Sequence, residues 1–294
     1  MVTEKGESAS PKTYSQLYIA ARRTLRDAGI EAFSLEARLL LAHAAGKTAA
    51  KLLQGMNLYA SSEVEEKNAE FLRRRLDGEP VAYITGSWEF YGLPMVISPD
   101  VLIPRSDTEV LVDKALYLLK RRGSSARLLD LCTGSGCIGC AIARNLPASR
   151  AKLVDISRPA LEIARKNVEL SGLSDRVGIV ETDIFDPPPL RLGSFDMIVS
   201  NPPYIATEEI KSLDRSVRDY EPASALDGGD DGLRFYREIS SKWKTLLRPG
   251  GFLIFEIGET QAEDVIKIMR LNGFKGIECE KDTAGHDRVV SGKI

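Results

Sequence analysis

Asn201-Pro202-Pro203-Tyr204 follows directly on "FDMIVS", an apolar run with the composition of a buried strand. Two prolines fix φ and lack N–H donors, so their carbonyls are held rigid and open. The Asn201 side-chain oxygen and the Pro202 carbonyl can then accept the two hydrogens of a planar NH2 group, with Tyr204 stacked on the flat face of the parent amide or ring. An amide nitrogen is a poor nucleophile because its lone pair is delocalised into the carbonyl. Two acceptors on its hydrogens help pull it toward tetrahedral geometry and aim the lone pair at an electrophile. Acceleration would come from positioning and electrostatics, with no covalent intermediate. The plainer reading is a rigid turn at a strand end; the residue types favour a clamp for a planar amino group.

A second constellation lies upstream. "LLDLCTGSGCIG" places Gly134, Gly136 and Gly139 as G-x-G-x-x-G at the end of an apolar strand. Glycines there permit a tight turn and let a ligand approach backbone at a helix N-terminus. Asp155 closes the next strand, where a carboxylate can accept hydrogen bonds from both ribose hydroxyls of a nucleoside. NAD dehydrogenases and S-adenosylmethionine methyltransferases both use this arrangement. Asp130, just before the loop, and Asp183, after "RVGIVET", favour the methyl donor: the first can orient its cationic end, the second can read an adenine amino group. Taken singly, either aspartate is ordinary turn chemistry.

These residues need elements to hold them. Past residue 125 strands ("ARLLDL", "AKLVDI", "RVGIVE", "FDMIVS", "GFLIFEI") alternate with helical patterns such as "PALEIARKNVELSG" and "LRFYREISSKWKTLL". That alternation predicts an α/β fold with a mostly parallel sheet, and "FKGIECEKDTAGHDRVVSGK" adds an antiparallel edge. Ligands sit outside the carboxyl ends of such strands, so Asn201 faces the same crevice as the glycine loop. Residues 13–79 read as about four helices, with Ser34 as an N-cap and stops at Gly29 and Gly46. "VAYITGSWEFYGLPMVIS" reads as short strands or a hairpin, and Ser106 with Glu109 as a capping box opening a helix through "EVLVDKALYLLKRRG". Residues 1–12 read as a solvated tail.

The 294 residues are 43% hydrophobic and 28% charged, the balance of a soluble globular protein. No apolar run approaches the ~18 residues of a spanning helix. The N-terminus has no apolar leader, and Glu4 and Glu7 argue against a transit peptide, so a cytoplasmic location is expected. A net charge of −2, with residues 1–86 near neutral, gives no footprint for nucleic acid. Arg73-Arg74-Arg75 reads as a solvated helix face, with a partner contact as the alternative. Cys132, Cys137, Cys140 and Cys279 reproduce an iron–sulfur spacing, but Thr-Gly-Ser-Gly lies between the first two. Cys137 and Cys140 read as small buried residues that let a helix approach a sheet, and no metal is expected.

The chain resembles the HemK/PrmC methyltransferases, which modify the glutamine amide of peptide-chain release factors. The resemblance runs from about residue 15 to the end, on "EPVAYITGSWEFYGL", "VLIPRSDTEVLV", "DLCTGSGCIG", "SNPPYI", "EPASALDGGDDGLRFYREI" and "EIGETQAEDV…GHDRVV". "NPPY" alone is shared with DNA adenine methyltransferases; the combination is far more specific. The resemblance implies a Rossmann-like class I methyltransferase sheet at 105–294, a β-hairpin linker at 80–104 and a helical substrate-recognition domain at 13–79. It places the S-adenosylmethionine site on Cys132, Thr133, Gly134, Ser135, Gly136, Asp155, Ile184 and Asn201, to which the residue reading adds Asp183. It places the clamp on Asn201, Pro202, Pro203 and Tyr204, with Asn201, Pro202 and Tyr204 catalytic and S-adenosylhomocysteine as product. Ser106 replaces the usual proline of "PRP.TE", and Ile184 stands where some relatives carry an aromatic. Arg105 either touches the donor's methionine end or anchors the hairpin. The implied partner is the Gly-Gly-Gln loop of a class I release factor, with a monomer as the default and neither DNA nor membrane bound. Rival readings are a base-amine methyltransferase, which lacks a basic surface here; an NAD(P) oxidoreductase, which leaves "NPPY" unexplained; and a non-catalytic nucleoside-binding adaptor, against which the intact clamp argues.

Overall fold

The computed structural model describes residues 10–120 and 125–294. The chain divides into two compact units, one ending at Gly86 and the other running from Ser87 to Ile294. Residues 1–9 of the expected tail, and Arg121–Gly123 at the end of an expected helix, lie outside the described residues. Lys12 is not free as a tail residue would be: its N–H donates to Glu65 Oε1 (3.2 Å) and its carbonyl accepts from Ala60 N (2.9 Å).

The first unit is helical: α1 (Tyr14–Asp27), α2 (Phe33–Ala44), α3 (Ala49–Gln54), α4 (Ser62–Leu76) and α5 (Val81–Thr85). Thr13 and Gln16 form a reciprocal capping box on α1, while Thr48 and Ser61 cap α3 and α4. Leu17, Leu25, Leu40, Leu41 and Leu52 are buried between them. Ser34 does not cap α2. The helix already begins at Phe33, and the Ser34 carbonyl accepts from the Tyr18 hydroxyl (3.3 Å). Nor is "VAYIT" a strand. Val81, Ala82, Tyr83 and Ile84 are all buried, the Pro80 carbonyl accepts from Tyr83 and Ile84 N–H, and Gly86 closes the turn at φ 65°. Burial overrides the β-branched composition here. The arginine triplet is fully paired, to Asp77, Glu79 and Glu36 in order; the Arg75–Glu36 contact (2.6 Å) is half-buried and joins α4 to α2.

The second unit opens with a hairpin, β1 (Ser87–Phe90) and β2 (Leu93–Val96), followed by α6 (Glu109–Lys120). The expected capping box is absent. Ser106–Thr108 forms a 3-10 turn with no side-chain cap, because the Glu109 carboxylate accepts instead from Tyr91 N–H (2.9 Å) in the hairpin turn. There follow β3 (Arg127–Leu131), α7 (Cys137–Asn145), β4 (Arg150–Asp155), α8 (Arg158–Leu170), β5 (Val177–Glu181), β6 (Phe195–Ser200) and a short α9 (Arg215–Arg218). The chain ends with α10 (Arg234–Ser241), β7 (Leu247–Glu256), α11 (Ala262–Leu271), β8 (Lys275–Lys281) and β9 (Asp287–Lys293).

The seven-stranded sheet has the order β5-β4-β3-β6-β7-β9-β8; its first five strands are parallel, and β9 runs antiparallel between β7 and β8. Strand order reverses between β3 and β6, which opens a crevice at their carboxyl ends. Cys137 and Cys140 are buried on α7, and all four cysteines are free. Asn167 on α8 joins the hairpin to the crevice. Its oxygen accepts from Val96 N–H (2.7 Å), and its amide donates to the carbonyls of Val96 (3.0 Å) and Ser135 (2.9 Å).

Trp243, in the turn after α10, is fully buried and donates Nε1–H to the Ile184 carbonyl (2.9 Å), fixing the far edge of the crevice. Trp243→Phe leaves that carbonyl unpaired and is expected to cost about 1–3 kcal/mol in urea unfolding followed by far-UV circular dichroism. An unchanged midpoint contradicts this role.

Candidate active site

At the end of β3 the chain turns through Cys132 (φ 56°), Gly134 (φ 53°) and Gly136 (φ 79°) into α7. Positive φ at two glycines costs little, whereas at Cys132 it is held strain. What holds it is a set of short contacts. Thr133 N–H donates to the Val154 carbonyl (3.0 Å), and the Ser200 hydroxyl donates to the Leu131 carbonyl (2.7 Å). Asp155 Oδ2 accepts from Gly134 N–H (2.9 Å), and its Oδ1 accepts from Ser157 N–H (2.9 Å). Burial raises the Asp155 pKa, and these backbone donors oppose the rise.

Asp130 has a different position from the one expected. It is fully buried beneath the loop and does not reach the crevice. One oxygen, Oδ2, accepts from the Thr133 hydroxyl (2.6 Å) and Gly139 N–H (3.0 Å). It shapes the loop from beneath and does not line the cavity above it. Its Oδ1 is buried with no partner among the described residues, and burial pushes its pKa up to about 7.

Above the loop lies a cavity of about 320 Å³. Cys132, Thr133, Gly134 and Ser135 form its floor, Asp155 with Ile156 one wall, and Asp183, Ile184 and Phe185 another. Asn201 and Pro203 close the side toward β6. Gly136, Pro202 and Tyr204 do not line it: Gly136 is packed against Leu153 and Ala164, and Pro202 is buried. The Tyr204 ring is half-buried against the sheet core, and burial pushes its phenol up to about 12. The Asp183 carboxylate accepts from Phe185 N–H (2.8 Å), a local turn contact. The Phe185 ring lies 5.0 Å from that of Phe235, with the Arg234 guanidinium 3.9 Å from its centroid.

Several contributors were not singled out from the sequence. The carboxylate of Glu221 is buried, pairs with Arg105 and accepts from Ile103 N–H (3.3 Å), so Arg105 has an anchoring role even though it borders the cavity. Residues 221–233 lie along the NPPY backbone: Ile205 N–H donates to the Leu226 carbonyl (3.0 Å), and Gly228 N–H to the Ile205 carbonyl (2.8 Å). A Cβ at Gly232 would stand 2.3 Å from the Tyr204 carbonyl oxygen, so only glycine permits this approach. Gln261, the residue before α11, donates Nε2–H to that same carbonyl (2.9 Å). The "EP..AL.GG.DGL" pattern is the signal that could have found the first of these, and "EIGETQAEDV" the one that could have found Gln261.

This strand order, with a glycine turn after the first strand of the parallel set and a ligand-sized cavity at the sheet's switch point, is the architecture of a Rossmann-like methyltransferase. The solved hMettl16 catalytic domain, in complex with MAT2A 3'UTR hairpin 6, shares the fold at a TM-score of 0.55 and 17% identity, covering 69% of this chain and 76% of that one. Residues 16–86 match the PrmC N-terminal domain and residues 106–216 the methyltransferase small domain. A release factor glutamine methyltransferase of Geobacter sulfurreducens is 42% identical over 273 residues, which is 93% of this chain and 94% of that protein. Its counterpart in Agrobacterium fabrum is 40% identical over 282 residues, 95% and 96% of the two chains. The solved release factor-specific protein-(glutamine-N5) methyltransferase of Alicyclobacillus acidocaldarius is 32% identical, with a TM-score of 0.40, over 67% of this chain and 97% of that one. The chain belongs to the release factor glutamine methyltransferase family.

The buried Asp130 makes a pH prediction. Its folded-state pKa lies above the ordinary carboxylate value, so between about pH 4 and 7 the unfolded chain has released a proton that the folded one retains. Its contribution to stability therefore falls as pH rises through that window and levels off above it. Asp130→Asn removes this dependence. Relative to wild type, the variant should gain up to about 1.4 kcal/mol per pH unit crossed in denaturant unfolding at pH 5, 6 and 7. Parallel pH profiles for the two proteins contradict the assignment.

Proposed function

We propose that the chain transfers a methyl group from S-adenosylmethionine to the side-chain amide nitrogen of the glutamine in the Gly-Gly-Gln loop of class I peptide chain release factors. The observation that carries this reading is the shared strand-end edge: Asn201, the first residue of the clamp, is also a wall of the cavity floored by the glycine loop. Family membership at 40–42% identity over nearly the whole chain supports the acceptor.

The cavity fits the donor on its own chemistry. Its volume is within the ~300–1,000 Å³ of small-molecule sites, and its walls are mostly apolar with a few polar groups. The Asp155 carboxylate suits a ribose diol, and Ile156, an exposed apolar side chain beside it, faces the same space as Ile184 and Phe185, a pairing suited to a flat adenine. Phe185 and Ile156 thus offer the apolar surface that Ile184, 4% exposed, can give only at its edge. Bound there, S-adenosylmethionine supplies a methyl on a positively charged sulfur, ready for in-line displacement.

The protein's own contribution is orientation. Asn201 Oδ1 and the Pro202 carbonyl take the two amide hydrogens, while Pro203 keeps the backbone of the edge rigid. Tyr204 is a neutral phenol that offers its ring and is no base, in keeping with its raised pKa. The helical unit, with its internally paired arginines, serves as the recognition surface for the protein substrate. The same reading makes the protein a cytoplasmic monomer. A base-methylating function is not supported by the net charge of −2.

Labelled S-adenosylmethionine with a purified class I release factor, its loop Gln→Ala variant, bulk DNA and rRNA tests the acceptor: label on the wild-type factor alone is expected, and label on nucleic acid overturns it. Asn201→Ala should lower kcat by at least about 100-fold while leaving donor affinity within a few-fold. Asp155→Ala should instead weaken the donor in a calorimetric titration. Normal turnover in the first variant, or an unchanged donor Kd in the second, contradicts the assigned roles.

A further inference from the structure

β6 and β7 pair in parallel register with Ser200 opposite Phe255, so the next residues, Asn201 just past β6 and Glu256 at the end of β7, stand side by side at the strand ends. Thr108, from the 3-10 turn before α6, stands with them: Asn201 Nδ2 donates to its hydroxyl at 3.4 Å. Thr108 and Glu256 are each 2% exposed, and Glu256 Oε2 is buried with no hydrogen-bond partner among the described residues. Neither side chain was assigned a part in the clamp above.

An asparagine amide is nearly symmetric in shape, so packing does not decide which end faces a ligand. Hydrogen-bond chemistry decides it. A clamp for an NH2 group needs the oxygen outward. Glu256 is in hydrogen-bonding contact with Thr108 and Asn201, and burial pushes its pKa up to about 7. Above that pH it is ionised and has only acceptors, and a hydroxyl that donates to it has only lone pairs left for its other neighbour. The opposite orientation would set Oδ1 against these acceptors in a water-free space. The other charged groups facing Glu256 are Arg288 of β9, which favours its ionised form, and Asp107 of the 106–108 turn, which opposes it. Arg288 is already committed to Asp282 (3.0 Å) and to the Ile257 carbonyl (3.1 Å).

We infer that Thr108 and Glu256 are positioning residues that hold the Asn201 amide with Nδ2 inward and Oδ1 toward the substrate. The inference rests on the clamp reading above and deepens it, and it gives the "TE" portion of "IPRSDTE" a role through Thr108.

The test is steady-state kinetics with a release factor and S-adenosylmethionine, together with a calorimetric donor titration and thermal melts, on Thr108→Val, Thr108→Ser, Glu256→Gln and Asn201→Ala. Losing the orienting bond should lower kcat about 10-fold or more in Thr108→Val and Glu256→Gln, with donor Kd and both KM values near wild type. Thr108→Ser restores the hydroxyl and should recover most of the rate. Wild-type kcat per folded molecule in both Thr108→Val and Glu256→Gln, with Asn201→Ala inactive, overturns the positioning role and leaves the clamp standing. Wild-type kcat in Asn201→Ala overturns the clamp and this inference together. Should Glu256→Gln fail to fold, the near-isosteric Thr108→Val decides alone.

Discussion

A single oxygen of Asp130, shared by the Thr133 hydroxyl and the Gly139 N–H, fixes how the first parallel strand passes into its helix. The donor side of the site follows from that turn. It sets the path of Cys132–Gly136, which sets where Gly134 meets Asp155, which in turn closes the cavity floor against β4. Such a contact is costly to keep, because a buried carboxylate with one unpartnered oxygen resists ionisation. The sheet holds a second buried acid of the same kind, Glu256, beside the clamp. Both lie at the carboxyl ends of strands, one under the donor floor and one behind the acceptor edge.

The acceptor edge is built from the other direction, by backbone. NPPY has no regular element of its own; it is held between β6 and the 221–233 segment. Ile205 is bonded on both sides to that segment, and the Tyr204 carbonyl is taken by Gln261. Glu221 carries the same scaffold to Arg105 and Ile103. Donor floor and acceptor edge are thus separate constructions that meet at Asn201. A residue in both is the natural place for geometric control, since displacement chemistry is sensitive to small errors of alignment.

The parallel strands, their helices and the antiparallel edge were legible because each carries its period and its turn signals locally. The glycine loop, Asp155 and NPPY were legible because their spacing along the chain is itself the motif. The misreadings share a cause in long-range partners. "VAYIT" looked extended until its burial was known, Ser34 yielded its cap to a helix that starts at Phe33, and Glu109 left the Ser106 capping box for the Tyr91 amide. Asp130 lies beneath the loop and not along the crevice, a placement the sequence could not give, because alternation along a strand does not tell whether its last side chains face the crevice or the helix beneath it. Glu221, Glu256 and Gln261 lie within "EPASALDGG" and "EIGETQAEDV", but a position in a motif does not tell that the fold brings them beside residues 103–108 and 201–204.

The strand-end edge delivers a methyl to the nitrogen of one glutamine side chain in a release factor. Fragment-ion mapping of a class I release factor, after incubation with the wild-type protein and S-adenosylmethionine, tests it most directly. One added methyl is expected, on the side-chain nitrogen of the Gly-Gly-Gln glutamine and nowhere else. A methyl on another residue, or an unmodified loop after full donor turnover, would contradict it.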